Sequence, residues 1–173
     1  MAALGLAPIP AEEYQRWWDL SVRDYAKDHV EAGNWDAGEA LARSEAEFRK
    51  LLPQGTATPG HFLYALEDRE SRQHVGLVWF HADRTSKSEN RNAVFIYDLL
   101  VYEPFRGKGY GSGGMRLVEE KARELGFDTI SLHVFGHNRV AIALYEKLGY
   151  VPKNILMSKK IDLPAGPPSP PEG

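Results

Sequence analysis

An α/β fold of the α+β kind is what this sequence predicts, and three features predict it. Two segments with helical spacing come first. Three strand-like apolar runs then follow in succession, joined by polar loops. After a glycine-rich turn, helix and strand alternate to the end of the pattern. At 173 residues, one domain with a substantial core is the expectation.

The elements can be justified in order. Residues 4–9 suit a short first strand. Residues 11–33 show helical spacing, with Tyr14, Trp17, Trp18, Val22, Tyr25 and His29 along one broad face. Asp36 reads as the N-cap of a second helix, which must end before Pro53. Residues 54–60 are a turn cluster. Residues 62–67, 75–82 and 93–102 are the three successive strands. Residues 115–125 form an amphipathic helix, with Gly126 placed to stop it. Residues 129–135 read as a strand, 138–148 as a helix, and 151–161 as the last strand or a hairpin partner. Residues 164–173 are a flexible tail, too rich in proline and glycine to bury a core. No internal repeat is visible.

Composition narrows the function. A formal net charge of -3 argues against a nucleic-acid scaffold, which would carry a basic stripe. No apolar run approaches a membrane span, so no membrane partner is expected. Residues 1–10 lack the basic start and apolar centre of a signal peptide, so a cytoplasmic location is expected. With no cysteine there can be no disulfide framework, no thiolate metal site and no cysteine nucleophile.

The most informative stretch is residues 101–115. A strand ends in a turn carrying Gly107, Gly109 and Gly111, and the turn leads into a helix. Alternate glycines let the main chain approach a ligand closely. Arg106, Lys108 and the helix N-terminus add positive charge, a combination suited to a phosphate or pyrophosphate. A Walker A loop is excluded, because Gly109 follows Gly107-Lys108 and Tyr102 stands where the first glycine should be. The dinucleotide spacing at Gly109, Gly111 and Gly114 is present, but past mid-chain and after antiparallel strands. That reading would also need an acidic ribose contact about twenty residues on. Only Asp128 comes near it.

The pattern Arg-x-x-Gly-x-Gly is met in full by Arg106, Gly109 and Gly111, with Leu99, Leu100 and Val101 before it. It resembles the acetyl-CoA pyrophosphate loop of the GNAT superfamily of N-acetyltransferases. A second segment, Asn138, Ala141, Tyr145, Gly149 and Tyr150, is similar to that family's second signature. The recognisable portion runs over about residues 60–161, beyond helices that match only in character. The resemblance implies a mixed, mostly antiparallel sheet of 6–7 strands flanked by about four helices and splayed at the acetyl-CoA site. It also implies one domain over 1–163, with 1–59 forming the acceptor-side wall and 60–163 the acetyl-CoA-binding core.

The same resemblance assigns roles. Arg106, Gly107, Lys108, Gly109, Tyr110, Gly111 and Ser112 would cradle the pyrophosphate of acetyl-CoA, the co-substrate. Leu100 and Val101 would pair with the pantetheine arm and polarise the thioester carbonyl through a main-chain N–H. Asn138, Ala141 and Tyr145 share one helical stripe. Tyr145 would donate a proton to the departing thiolate, although a packing aromatic fits the same position. Asn138 would contact acetyl-CoA and is equally a good N-cap. Asp98 breaks an apolar strand next to the acetyl site and leads as general base, with a structural aspartate at a strand kink as the competing explanation. Tyr97, Glu103 and His133 are weaker candidates, and His133 reads as a core histidine.

Direct acetyl transfer to a primary amine, on a small molecule or a peptide, is the expected reaction, with no metal required. A non-catalytic acyl-CoA-sensing module is the alternative. Tyr14, Trp17, Trp18, Trp35, Asp24 and Asp28 would offer an aromatic and acidic surface to a cationic acceptor, unless the aromatics are core. Whether Gly113 and Gly114 fray the helix or make room for a bulky neighbour is left open. A homodimer through the C-terminal strands is a family-level expectation.

Overall fold

The computed structural model describes residues 3–82, 92–159 and 161. Strands β1 (Leu4–Pro8), β2 (His61–Asp68), β3 (Gln73–His81), β4 (Ala93–Val101) and β5 (Thr129–Leu132) form one sheet in that spatial order. The first four are antiparallel to their neighbours, and β5 runs parallel to β4. Helices α1 (Ala11–Glu31) and α2 (Ala40–Leu51) precede β2; α3 (Tyr110–Glu124) crosses from β4 to β5, and α4 (Arg139–Lys147) follows β5. The fold class is therefore the expected one, a mixed sheet with four α-helices among the described residues.

Alternation along the strands divides the interior into two cores. Val78 and Phe80 of β3 face Met115 and Val118 of α3. Leu77 and Trp79 of β3 face Trp17 and Val22 of α1 and Phe48 of α2. Trp17 and Leu77 are fully buried, so the two N-terminal helices are built onto the sheet.

Two details position the site. In β3, Gly76 lies so close to β4 that a Cβ there would sit 2.1 Å from the Leu100 carbonyl oxygen. In β4, the register slips between the Trp79–Asp98 and Phe80–Ile96 pairs, leaving Tyr97 as an extra residue. Val94 and Ile96 belong to the α3 core. Strict alternation would send Asp98 the same way. The bulge at Tyr97 reverses the phase and turns Asp98 towards α1 instead.

Several expectations need correction. The sheet has five strands among the described residues, not 6–7. Residues 151–159 carry no secondary structure, and Ile155, Leu156 and Met157 are 78–93% exposed. Pro152 has no N–H to give a ladder, and β5 offers only four residues of edge. The strand expected over 129–135 stops at Leu132. Asp36 does not cap α2, whose N-cap is Glu39; its carboxylate instead accepts the Gly38 N–H at 2.8 Å in the turn ahead. The tail at 164–173 lies outside the described residues.

Gly113 and Gly114 have a packing explanation. The helix is intact from Tyr110 onward. A Cβ at Gly113 would meet Leu4 at 3.2 Å, and one at Gly114 would meet Leu66 and Leu99 at 3.0 Å. The glycines let α3 settle onto β1, β2 and β4.

Candidate active site

Pairing between β4 and β5 is confined to Ala93–Ile96 against Thr129–Leu132. Beyond Ile96, β4 pairs only with β3, while the chain after β5 continues as unpaired backbone. The strands therefore part at the bulge. A cavity of about 340 Å³ opens there, between Tyr97–Leu100 on one side and His133–Phe135 on the other. Helices α1 and α2 supply its wall through Ser21, Asp24, Tyr25, Asp28 and Glu47, and α4 supplies Ala141 and Tyr145.

Asp98 is the polar centre of this cavity. Its Oδ2 accepts from the indole Nε1 of Trp17 at 2.8 Å and from the hydroxyl of Ser21 at 2.7 Å. Part of its surface stays open, yet the surrounding packing is dense enough for desolvation to dominate its ionisation. Burial raises the carboxyl above the usual carboxylate range, and the nearby charge of Asp24 adds to the rise. These two hydrogen bonds, and a third from the Leu99 backbone N–H, oppose that rise because they favour the ionised form.

Tyr145 lies across the cavity on α4. Burial, with the Asp98 charge behind it, pushes its phenol up to about 12. The hydroxyl is therefore protonated, and able to donate, throughout the neutral and mildly alkaline range. Asn138 caps α4, its Oδ1 accepting the Ala141 N–H at 3.1 Å. That leaves its amide N–H groups for a ligand.

The glycine-rich turn lies at the other end of β4. Gly107 (φ 74°) and Gly109 (φ 87°) are both left-handed, and an added Cβ at either would meet nothing within 4 Å. Backbone conformation, not crowding, therefore requires glycine there. Gly109 is the N-cap of α3 and offers no side-chain cap, so the first amides of the helix face outward without an intrahelical acceptor. Arg106 Nε donates to the Val101 carbonyl at 3.0 Å, and Lys108 Nζ to the Pro104 carbonyl at 2.9 Å. Both cations are pinned beside those amides. Tyr110 contributes its main chain only, because its hydroxyl is bonded to Asp68. Bare amides, two cations and an uncrowded glycine turn suit a pyrophosphate.

The family's sequence profile, the acetyltransferase (GNAT) family, matches residues 14–150. The chain belongs to that family. Among GNAT proteins it is 38% identical over 156 residues to the uncharacterised N-acetyltransferase YycN of Bacillus subtilis, covering 90% of this chain and 97% of that protein. A second B. subtilis protein, the uncharacterised N-acetyltransferase YdgE, is 33% identical over 92% of this chain and 99% of its own length. The crystal structure of YycN superposes with a TM-score of 0.85 at 37% identity, covering 93% of this chain and all of that one. The protein is thus a GNAT N-acetyltransferase, and the family uses acetyl-CoA generally.

Relative to this GNAT frame, the structure gathers Asp98, Leu100, Asn138 and Tyr145 around one cavity, with the 106–112 turn past the end of the same strand. Other expectations change. His133 is exposed, not core, because the strand has already ended; its ring meets Phe135 edge-on at 4.9 Å. Trp17 is core, and Tyr14 and Trp18 pack against the same cluster. Trp35 stacks on His29 at 3.8 Å. Asp24 and Asp28 do reach the cavity wall, where Asp28 also meets His137 at 2.9 Å. Sequence reasoning missed Ser21, Tyr25 and Glu47. The four- and three-residue spacings of 17, 21, 24, 25 and 28 on one helix were the available signal for the first two; Glu47, on α2, left none.

Proposed function

We propose that this protein moves an acetyl group from acetyl-CoA to a small primary amine by direct attack in a ternary complex. The observation that carries the reading is the placement of Asp98 and Tyr145 around one cavity at the point where β4 and β5 part. Residues 106–112 take the pyrophosphate on the exposed amides of α3, with Arg106 and Lys108 beside them. Leu100 and Val101 present main-chain groups to the pantetheine arm, and a β4 N–H meets the thioester oxygen as charge develops there. Asn138 adds a side-chain contact. Asp98 receives the proton of the attacking amine, and Tyr145 donates to the leaving thiolate.

Four carboxylates, Asp24, Asp28, Glu47 and Asp98, line a cavity of about 340 Å³ together with Tyr25, Tyr97 and Phe135. Negative charge and aromatic faces favour a cation. The size favours a compact amine or a single amine-bearing arm. We assign residues 1–59 to the acceptor side and 60–163 to the donor side. No described helix is long and apolar enough to cross a membrane. We propose a cytoplasmic location on the separate ground that acetyl-CoA is the donor.

Thiol release from acetyl-CoA, read with a chromogenic thiol reagent across mono-, di- and polyamines, amino sugars and peptides, tests the reading. The chain has no cysteine to add background. Turnover with compact cationic amines supports it. Tight acetyl-CoA binding with no turnover on any of them overturns it.

The assembly proposed is a homodimer. The outer edge of β5 has no partner strand among the described residues, and the same chain carries the exposed apolar run at 155–157. A second copy is the occupant that supplies both halves of this match. Light scattering after size-exclusion chromatography should give twice the mass of 19.4 kDa, and Leu156→Asp should halve it.

A further inference from the structure

Helix α1 carries Trp17 and Ser21 one turn apart on the face turned towards β4, and both donate to the same oxygen of Asp98. These donors come from residues 81 and 77 positions earlier in the chain. Trp17 is fully buried, and Ser21 is 8% exposed. The indole cannot easily turn away. It packs edge-on against Trp79 at 5.6 Å and lies 6.0 Å from Phe48. An indole N–H can only donate, so this position imposes an acceptor on whatever β4 presents. The bulge at Tyr97 is what delivers that acceptor.

We propose that Ser21 and Trp17 are positioning residues for acetyl transfer, which engage Asp98 Oδ2 and thereby set the rotation at which the carboxylate takes the proton of the acceptor amine. The inference rests on the reading of Asp98 as base. Bonds from two donors fix the rotation of the carboxylate, because charge-assisted hydrogen bonds are short and directional. They also favour the ionised form against the desolvation around it. From α1 Asp24 opposes ionisation; from α4 Tyr145 presents a phenol; Tyr97 adjoins it on β4; and Trp79 on β3 brings no charge. Removing either donor should therefore raise the pH at which Asp98 becomes competent and loosen its aim.

The test is a set of pH–rate profiles on the full chain with acetyl-CoA and the best amine from the panel. The variants are Ser21→Ala, Ser21→Thr, Trp17→Phe and Asp98→Asn, each checked for fold by circular dichroism. Ser21→Ala should lose about tenfold in kcat, as expected for one hydrogen bond to a charged group. The acidic limb should move to higher pH with the acceptor KM nearly constant, and Ser21→Thr should restore both. In an Asp98→Asn background Ser21→Ala should cost nothing further, which a merely structural role would not produce. A Ser21→Ala enzyme with the parent limb and kcat, beside an inactive Asp98→Asn, overturns this inference alone. An Asp98→Asn enzyme that keeps full kcat and the acidic limb overturns the base assignment as well.

Discussion

Trp79 on β3 and Asp98 on β4 are register partners at the last pair before the strand slips by one residue. That pair fixes which face of the sheet receives the only carboxylate in β4. Trp79 belongs to the core shared with α1 and α2, so its partner is delivered to the same side. The chemistry proposed here thus depends on one inserted residue, Tyr97, whose ring stacks on Trp79 at 4.5 Å.

Asp98 should make stability depend on pH in a definite direction. Its folded-state pKa is raised, mainly by burial. The stability linked to its proton is complete below the ordinary carboxylate value of 3.8 and is lost as pH rises through the folded pKa. Asn carries no charge to desolvate. The Tm of Asp98→Asn relative to the parent should therefore climb as pH rises from about 4 through the folded pKa of Asp98, as read by scanning calorimetry.

Tyr145→Phe should cut kcat by about 100-fold, the lower range for a positioned acid. Acetyl-CoA affinity measured by calorimetry should stay close to that of the parent. Because burial and the Asp98 charge hold the phenol up to about 12, no alkaline loss of activity below that range should trace to Tyr145. Phe at this position should therefore leave any alkaline limb where it was.

Gly76→Ala and Gly113→Ala separate crowding from propensity. An added Cβ at Gly76 meets the Leu100 backbone at 2.1 Å, and the strand must move. A loss of about 2 kcal/mol is expected in urea unfolding, as for overpacked cores, together with lower activity. At Gly113 the neighbour is the end of the Leu4 side chain at 3.2 Å, which can yield. There the helix gain of up to about 1 kcal/mol should leave stability unchanged or improved.

The donor loop should respond to conformation and to charge separately. Gly109→Ala forces a left-handed residue to carry a Cβ, a strain of about 1–2 kcal/mol. Arg106→Ala removes a pinned cation. Both should raise KM for acetyl-CoA and leave KM for the amine alone. Only Arg106→Ala should flatten the salt dependence of donor binding.

Asp24→Asn tests the acceptor wall. Asp24 is exposed and lines the cavity. Its removal should raise the amine KM a few-fold, more at low ionic strength than at high. Because Asp24 also opposes Asp98 ionisation, the acidic limb should move to lower pH.

How much of this was legible in the sequence follows from what each signal depends on. The helices and β2–β4 came from periodicity, which is local, and the donor turn came from its alternate glycines, of which Gly107 and Gly109 prove to be left-handed. The bulge at Tyr97 left no local mark. It is a matter of register between two strands, so the face that Asp98 occupies could not be read from residues 93–102 alone. The aromatics of α1 were read as a substrate surface or as core, and burial decided for core at Trp17. The strand expected at 151–161 had apolar residues but no partner, and pairing, not propensity, makes a strand. His133 was assigned to the interior because its strand was drawn three residues too long.

The Trp17–Asp98 bond has a bearing on how such a protein can be re-engineered. The proposed acceptor wall and donor core look like exchangeable modules when the chain is divided near residue 60. Yet the first module reaches into the second and holds its carboxylate. Transplanting foreign N-terminal helices onto the same sheet would alter that wall and also strip Asp98 of both its side-chain donors. Recombination at this boundary therefore has to carry an indole and a hydroxyl at the right helical phase, or discard the aspartate with them.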